Sequence, residues 1–119
     1  MGKYKIEIQE IKCYNASEPN ISNGDEVYIV CQMDGGVPLR IPADINDTQN
    51  MKSNKKWDFD NLQLSFDYEV LITLWDCDLS YDPNLATYLV SKNLTPDSKS
   101  GEYKMSNRNG AQYGIKVKC

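Results

Sequence analysis

The residues with the clearest chemistry in this chain are the aspartates of Leu74-Trp75-Asp76-Cys77-Asp78-Leu79-Ser80-Tyr81-Asp82. An apolar run, Val70 to Trp75, leads directly into Asp76 and Asp78, and Asp82 follows four residues later. In an extended strand, residues i and i+2 project to the same face. Asp76 and Asp78 therefore continue the face of Val70, Ile72 and Leu74, which the pattern sends into a core. Two like charges carried into an apolar interior cost several kcal/mol unless they are neutralised. A hard divalent cation such as Ca²⁺, which takes about six to eight oxygen ligands, is the simplest neutraliser. The alternative is that the strand has ended and both aspartates sit in a hydrated turn.

Other chemistry is restricted by what the chain lacks. It has no histidine, so Ser-His-Asp and Cys-His nucleophile activation is impossible. Paired carboxylates could in principle hydrolyse glycosides, but nothing here indicates the deep aromatic cleft that chemistry needs, and no catalytic centre is read. The four cysteines, at 13, 31, 77 and 119, form no C-x-x-C pair, so a zinc site of the usual Cys/His kind is not expected. Their even number would permit two disulfides in a secreted protein; free thiols in a reducing compartment are the expectation adopted. Asn15, Asn20, Asn46 and Asn93 each open an N-x-[ST] acceptor, in a chain where asparagine is abundant. With 17 acidic against 13 basic residues the net charge is −4, the wrong sign for bulk nucleic-acid binding.

Those carboxylates must be positioned by a β framework. Residues 1–119 read as one domain, long enough for a two-layer core. No run approaches the roughly 20 apolar residues that a membrane-spanning helix requires, and residues 1–30 show no signal-peptide stretch. A trimmed mature chain remains an alternative, which leaves an extracellular location open beside the cytoplasmic one. Tyr4, Ile6 and Ile8 alternate with charged and polar residues, as do Val27, Ile29, Cys31 and Met33 with their neighbours before the turn signal Asp34-Gly35-Gly36. Val37 to Ile41, bounded by prolines, reads as an edge strand, and residues 43–56 as a long loop or irregular strand. Trp57 to Phe66 is a strand or bent pair, and Val70 to Trp75, apolar on both faces, a central strand. Leu85 to Val90 is a strand or a helical turn; Tyr103 to Met105 and Tyr113 to Cys119 complete the set. About eight short strands separated by turns predict an all-β, eight-stranded antiparallel Greek-key sandwich.

With the strands placed, the chain resembles a C2 domain over nearly its whole length. Asn23-Gly-Asp25-Glu-Val-Tyr-Ile-Val30 is similar to that family's Ser-Asp-Pro-Tyr-Val strand entry. Asn54-Lys-Lys-Trp57-Asp-Phe59 resembles its Asn-Pro-x-Trp-Asn-x-x-Phe segment, without the proline. Val70-Leu-Ile-Thr-Leu-Trp75-Asp76-Cys-Asp78 matches the element in which an apolar strand ends in Trp-Asp-x-Asp, the most specific of the matches. Gly114 to Lys118 resembles the closing strand.

The resemblance implies Ca²⁺ held between end-loop aspartates and docking on anionic phospholipid membranes. It carries the metal role to Asp25, Asp76 and Asp78, and to Asp82. The family's other first-loop aspartate falls at Pro19 here, so Glu18 or Asn20 would substitute. Ile21, Leu79 and Tyr81 could enter the headgroup layer once the charge is cancelled, or Leu79 and Tyr81 could instead fold back onto the core. Lys52, Lys55 and Lys56 could attract anionic lipid, although three lysines in a polar loop are also simply well solvated. Trp57 and Trp75 are expected to pack on the core or a sheet face. Two other classes remain: a calcium-independent module with a protein partner, and an extracellular adhesion or carbohydrate-binding sandwich with structural calcium.

Overall fold

Alternation decides which side of each strand is buried, and the burial follows it. In the computed structural model, which describes residues 3–17, 24–77, 82–91 and 101–118, the chain forms ten strands. They are β1 (Tyr4–Asn15), β2 (Asp25–Met33), β3 (Leu39–Ile41), β4 (Gln49–Met51), β5 (Lys56–Phe66), β6 (Glu69–Asp76), β7 (Asn84–Ser91), β8 (Gly101–Lys104), β9 (Ser106–Asn107) and β10 (Gln112–Lys118). One sheet runs β5-β1-β10-β8 and the other β3-β2-β6-β7-β9, with β4 also on β2. All the pairings are antiparallel. The first strand lies beside the last and β2 beside β6, the crossed neighbours of Greek-key wiring.

Ile6, Ile8, Ile11, Leu64, Phe66, Ile115 and Val117 come from one sheet, and Val27, Ile29, Val70, Ile72 and Leu74 from the other. Each such side chain contributes roughly 1.5–3 kcal/mol when fully withdrawn from water. As expected, Val70–Trp75 occupies the centre of its sheet, paired with β2 on one side and β7 on the other.

The expected strands differ from the observed ones where local irregularity interrupts the pattern. The polar 43–56 stretch contains β4, whose Met51 is fully buried, and Leu85–Val90 lies within a full strand rather than a helical turn. The edge strand is shorter than Val37–Ile41, and Val37 is exposed. Trp57–Phe66 is one long strand whose register against β1 shifts between Ile8 and Glu10. Opposite that shift, Asn61 adopts φ 60°, a left-handed conformation that asparagine tolerates. The shift turns Ile11 and Cys13 toward the core, where unbroken alternation would have sent Glu10 and Lys12.

At one end of the sandwich, Asp34 and Gly35 both have positive φ (54° and 69°), and the Gly36 N–H donates to the Met33 carbonyl at 2.9 Å. The Asp34 carboxylate accepts the N–H groups of Asp67, Tyr68 and Glu69 at 2.8, 2.7 and 3.0 Å, tying two turns together. Donation by Asp67, Glu69 and Tyr68 favours the anion and lowers its pKa. The stabilisation is therefore present above the ordinary aspartate value of about 3.9 and lost as pH falls through the lowered folded value. Asp34→Asn should lower Tm at neutral pH, with the deficit shrinking in melts taken progressively below about pH 4. A deficit that stays constant into acid would show that the charge is not what Asp34 contributes.

Candidate functional site

At the opposite end several of the described connections meet. The exit of β1 meets the turn before β5, where the Cys13 N–H donates to the Lys55 carbonyl and the Asn54 N–H donates back to the Cys13 carbonyl. The turn before β10 is held by Arg108 N–H to the Leu85 carbonyl and by Asn15 Nδ2 to the Gly110 carbonyl. The Asp76 N–H donates to the Pro83 carbonyl, closing the loop between β6 and β7 at its base. Gly24 enters β2 at φ +67°, where a Cβ would lie 2.2 Å from the Met51 carbonyl oxygen. Only glycine fits there, and the close approach sets Asp25 against β4.

Asp25 is fully buried and hydrogen-bonded on both oxygens. Ser17 supplies its N–H at 2.9 Å and its hydroxyl at 2.6 Å, and the Tyr113 hydroxyl donates at 2.8 Å. All three donors are neutral. Burial, and then the charge of Asp25, push the Tyr113 phenol far up, so it remains a donor throughout the physiological range. Cys13, the cross-strand neighbour of Tyr113, is also pushed up, chiefly by burial. The result is a buried Ser17–Asp25–Tyr113–Cys13 cluster that joins the two sheets.

Asp76, 4% exposed, lies on the core face of β6 opposite Val27, and one of its oxygens accepts the Glu26 N–H at 3.0 Å. It is thus a diagonal neighbour of Asp25 across an antiparallel pair. Strand parity anticipated this burial. Asp82 is placed elsewhere: its carboxylate accepts the Tyr28 hydroxyl at 2.6 Å, and Tyr28 belongs to the opposite face of β2. Burial, and then Asp82, raise the Tyr28 phenol to about 12. The Arg40 guanidinium lies 4.3 Å from the Tyr28 ring centroid and donates to the carbonyls of Pro42, Asp44 and Ile45. Arg40 thereby brings one fixed positive charge to the outer flank of the acidic loop. Cys77 is exposed beside it, its thiol raised by partial desolvation and then by Asp82 and Glu26.

The structure therefore brings Asp25 and Asp76 together on one face and anchors Asp82 on the other. Asp78, Glu18, Ile21, Leu79 and Tyr81 lie outside the described residues. Lys52 and Lys55 sit in the turn before β5, while Lys56 begins that strand 3.9 Å from Glu10. Trp57 packs on Phe59 with ring centroids 4.8 Å apart and lies against the core, and the Trp75 indole N–H donates to the Thr73 hydroxyl at 2.8 Å. Ser17, Tyr28, Arg40 and Tyr113 were not singled out in the sequence. Tyr113 carried a usable signal: an inward-facing tyrosine in a closing strand needs a buried acceptor.

No family model matches the sequence, and no curated protein matches it. Similar solved structures do exist. One described as a C2 domain aligns with 96% of this chain and 95% of its own, at a TM-score of 0.63 and 10% identity. A C2 domain of plant extended synaptotagmin 1 covers 99% of this chain and 96% of its own, at 0.54 and 7% identity. Human GIVD cytosolic phospholipase A2 matches 96% of this chain with 16% of its own length, at 0.50 and 10% identity. On its two-sheet topology, its loop end and these likenesses, the chain has the fold of a C2 domain.

Proposed function

We propose that the chain is a binding module, not an enzyme, that docks its loop end on anionic phospholipid membranes in a Ca²⁺-dependent manner. The observation that supports this most is the pair of carboxylates, Asp25 and Asp76, buried side by side at the loop end of a C2-like sandwich. Two adjacent carboxylates repel each other, and neutral donors alone offset this only in part. The donor set is hard oxygen with no imidazole in the chain, which fits Ca²⁺ in chemical kind. Asp76 and Asp78 would hold the ion, with Asp25 behind them and Glu18 and Asp82 as outer candidates. Bound there, Ca²⁺ would offset the clustered negative charge and attract phospholipid head groups. Ser17 and Tyr113 keep Asp25 oriented, and Tyr28 fixes the Asp82 end of the loop. Ile21, Leu79 and Tyr81 would supply apolar contact with the headgroup layer. The matching surface is the anionic cytoplasmic leaflet.

A second reading has its own observation: among the described residues no three Asp, Glu, Cys or His side chains converge to hold an ion. The same scaffold would then be a calcium-independent module for a protein partner.

Sedimentation with phosphatidylserine vesicles separates the two. The protein should pellet only with both Ca²⁺ and anionic lipid, and less at higher salt, because headgroup attraction is screened over about 8–10 Å. Changing Leu79 and Tyr81 together to alanine should reduce pelleting while leaving Ca²⁺ affinity in solution unchanged. Ca²⁺ binding without vesicle association would sink the membrane reading and favour the protein partner.

A further inference from the structure

The two sheets of the sandwich carry different outer faces. On β5-β1-β10-β8 the residues between the buried ones are charged: Lys5, Glu7 and Lys12 on β1, Asp58 on β5, Lys116 and Lys118 on β10. That is the alternation of an antiparallel sheet with one face in water. β6 departs from it. Between Val70, Ile72 and Leu74, which enter the core, its outward positions are Leu71, Thr73 and Trp75. The register extends this surface sideways: Leu71 pairs with Leu89 of β7 and Gln32 of β2, Thr73 with Thr87 and Val30, and Trp75 with Tyr28. A strand apolar on both faces is the pattern of a sheet covered on both sides. The described elements form two layers, none of them stacked on this face, and Leu89 is left 48% exposed.

The half of this face nearer the loop end is built as a fixed platform. The Thr73 hydroxyl that accepts the Trp75 indole N–H donates in turn to the Val30 carbonyl at 3.2 Å. Tyr28, directly opposite Trp75, gives its hydroxyl to Asp82, and the Arg40 guanidinium over its ring is tied to backbone carbonyls. With their polar ends engaged inside the protein, these side chains have little rotamer freedom left to lose on binding. Tryptophan, tyrosine and arginine are also the residue types that most often anchor interfaces.

Charge narrows the occupant. β2, β6 and β7 contain no lysine or arginine; their charged residues are Asp25, Glu26, Glu69 and Asp76. Asp25 and Asp76 are buried, whereas Glu26 and Glu69 stand exposed at opposite margins of the outer face. Asp82 adds a negative charge beside Tyr28, against the single positive charge of Arg40 from β3. The face therefore repels an anionic membrane. A second copy, turned about a two-fold axis along or across the strands, would set acidic margin against acidic margin. Addition of a strand beside β3 is blocked by Pro38 and Pro42 on either side of it. A helix fits: about 10 Å across, it covers two strand intervals of about 4.8 Å. The roughly 13 Å from Leu71 to Trp75 along β6 equals about nine helical residues.

We propose that the outer face of β2-β6-β7 is the docking surface for an amphipathic helix of a partner protein, apolar along one stripe and rich in lysine or arginine on its flanks. The stripe packs on Val30, Leu71, Trp75 and Leu89, and the flanking cations face Glu26 and Glu69. Docking here is independent of Ca²⁺ and of the loop end.

The probe is a synthetic peptide of about 14 residues with leucine at i, i+3, i+4 and i+7 and lysine elsewhere. A scrambled peptide of the same composition and a leucine/glutamate peptide of the same pattern are the controls. Titrations in chelator are followed by backbone amide and indole NMR shifts, which report both affinity and location. Wild type should bind the patterned lysine peptide, with the largest shifts at Leu71, Leu89 and the Trp75 indole, and the glutamate peptide at least about tenfold more weakly. Leu71→Ser/Leu89→Ser should lose about tenfold or more, and Glu26→Gln/Glu69→Gln a few-fold together with part of the salt dependence. No binding of the patterned peptide, equal binding of the scrambled one, equal binding by the leucine double variant, or shifts centred on Asp25 and Asp76 would each overturn the site. So would a wild-type dimer on sedimentation equilibrium that the leucine double variant loses, which would assign the face to a second copy. Leu89 is exposed and Leu71 half-buried outside the core, so that variant should melt close to wild type. Should it melt lower, the glutamine variant and the shift map carry the test. Ca²⁺-dependent association with phosphatidylserine vesicles should persist in both variants, so failure here and failure of the proposed function are read separately.

Discussion

Asp25→Ala should lower the metal-free stability by about 3 kcal/mol, on the order of 10 °C in Tm for a domain of this size. The substitution leaves the Tyr113 hydroxyl, Ser17 N–H and Ser17 hydroxyl without the carboxylate that all three address. Tyr113 is fully buried, so water cannot replace the acceptor without opening the core. Asp25→Asn keeps the shape and one carbonyl oxygen and should cost less, because an amide still accepts from Tyr113 or Ser17 but not from all three equally well. Thermal melts in chelator at neutral pH measure both. If Asp25→Ala melts like wild type, the buried cluster does not hold the sheets together and Asp25 is free to serve another purpose.

The fold was readable because most of it rests on period-two alternation. Ile6 and Ile8, Val27 to Cys31, and Ile115 to Val117 each gave the correct buried face. Parity also anticipated that Asp76 would be carried into the interior edge behind Leu74. Failures occurred where backbone geometry broke the period. The shift at Glu10 and the left-handed Asn61 reverse which residues of β1 face inward, and neither residue type announces that change. Within 43–56, β4 pairs with β2 from a polar sequence whose one strong anchor is Met51, too little pattern for a strand to be recognised.

At the site, spacing identified the acidic residues but not their partners. Hydrogen bonds such as Tyr113 to Asp25, or Tyr28 to Asp82, join residues 88 and 54 positions apart, and only the topology brings them together. Spacing alone also treats aspartates along one loop as converging. The tyrosine on the outer face of β2 instead draws Asp82 away from the side that carries Asp25 and Asp76.

That division yields a sharp expectation for calcium. A ligand that binds only the folded state stabilises it by RT ln(1 + [L]/Kd), about 2.7 kcal/mol at a hundredfold excess over Kd. Millimolar Ca²⁺ should therefore raise Tm by roughly 5–10 °C, and Mg²⁺ by much less, because it needs a tighter octahedral shell and sheds water reluctantly. Asp78→Asn should abolish most of the shift while holding or raising the metal-free Tm, since it removes one charge from a repelling set. Asp25→Asn should behave differently and lower the metal-free Tm, because its carboxylate is an acceptor the fold depends on. Lys55→Ala, in the turn before β5, should leave both quantities unchanged. Opposite signs for Asp78→Asn and Asp25→Asn in the absence of metal would separate the ion's ligands from the framework behind them. An identical melt with and without chelator would remove Ca²⁺ from the function and leave the calcium-independent protein-binding module as the reading to pursue.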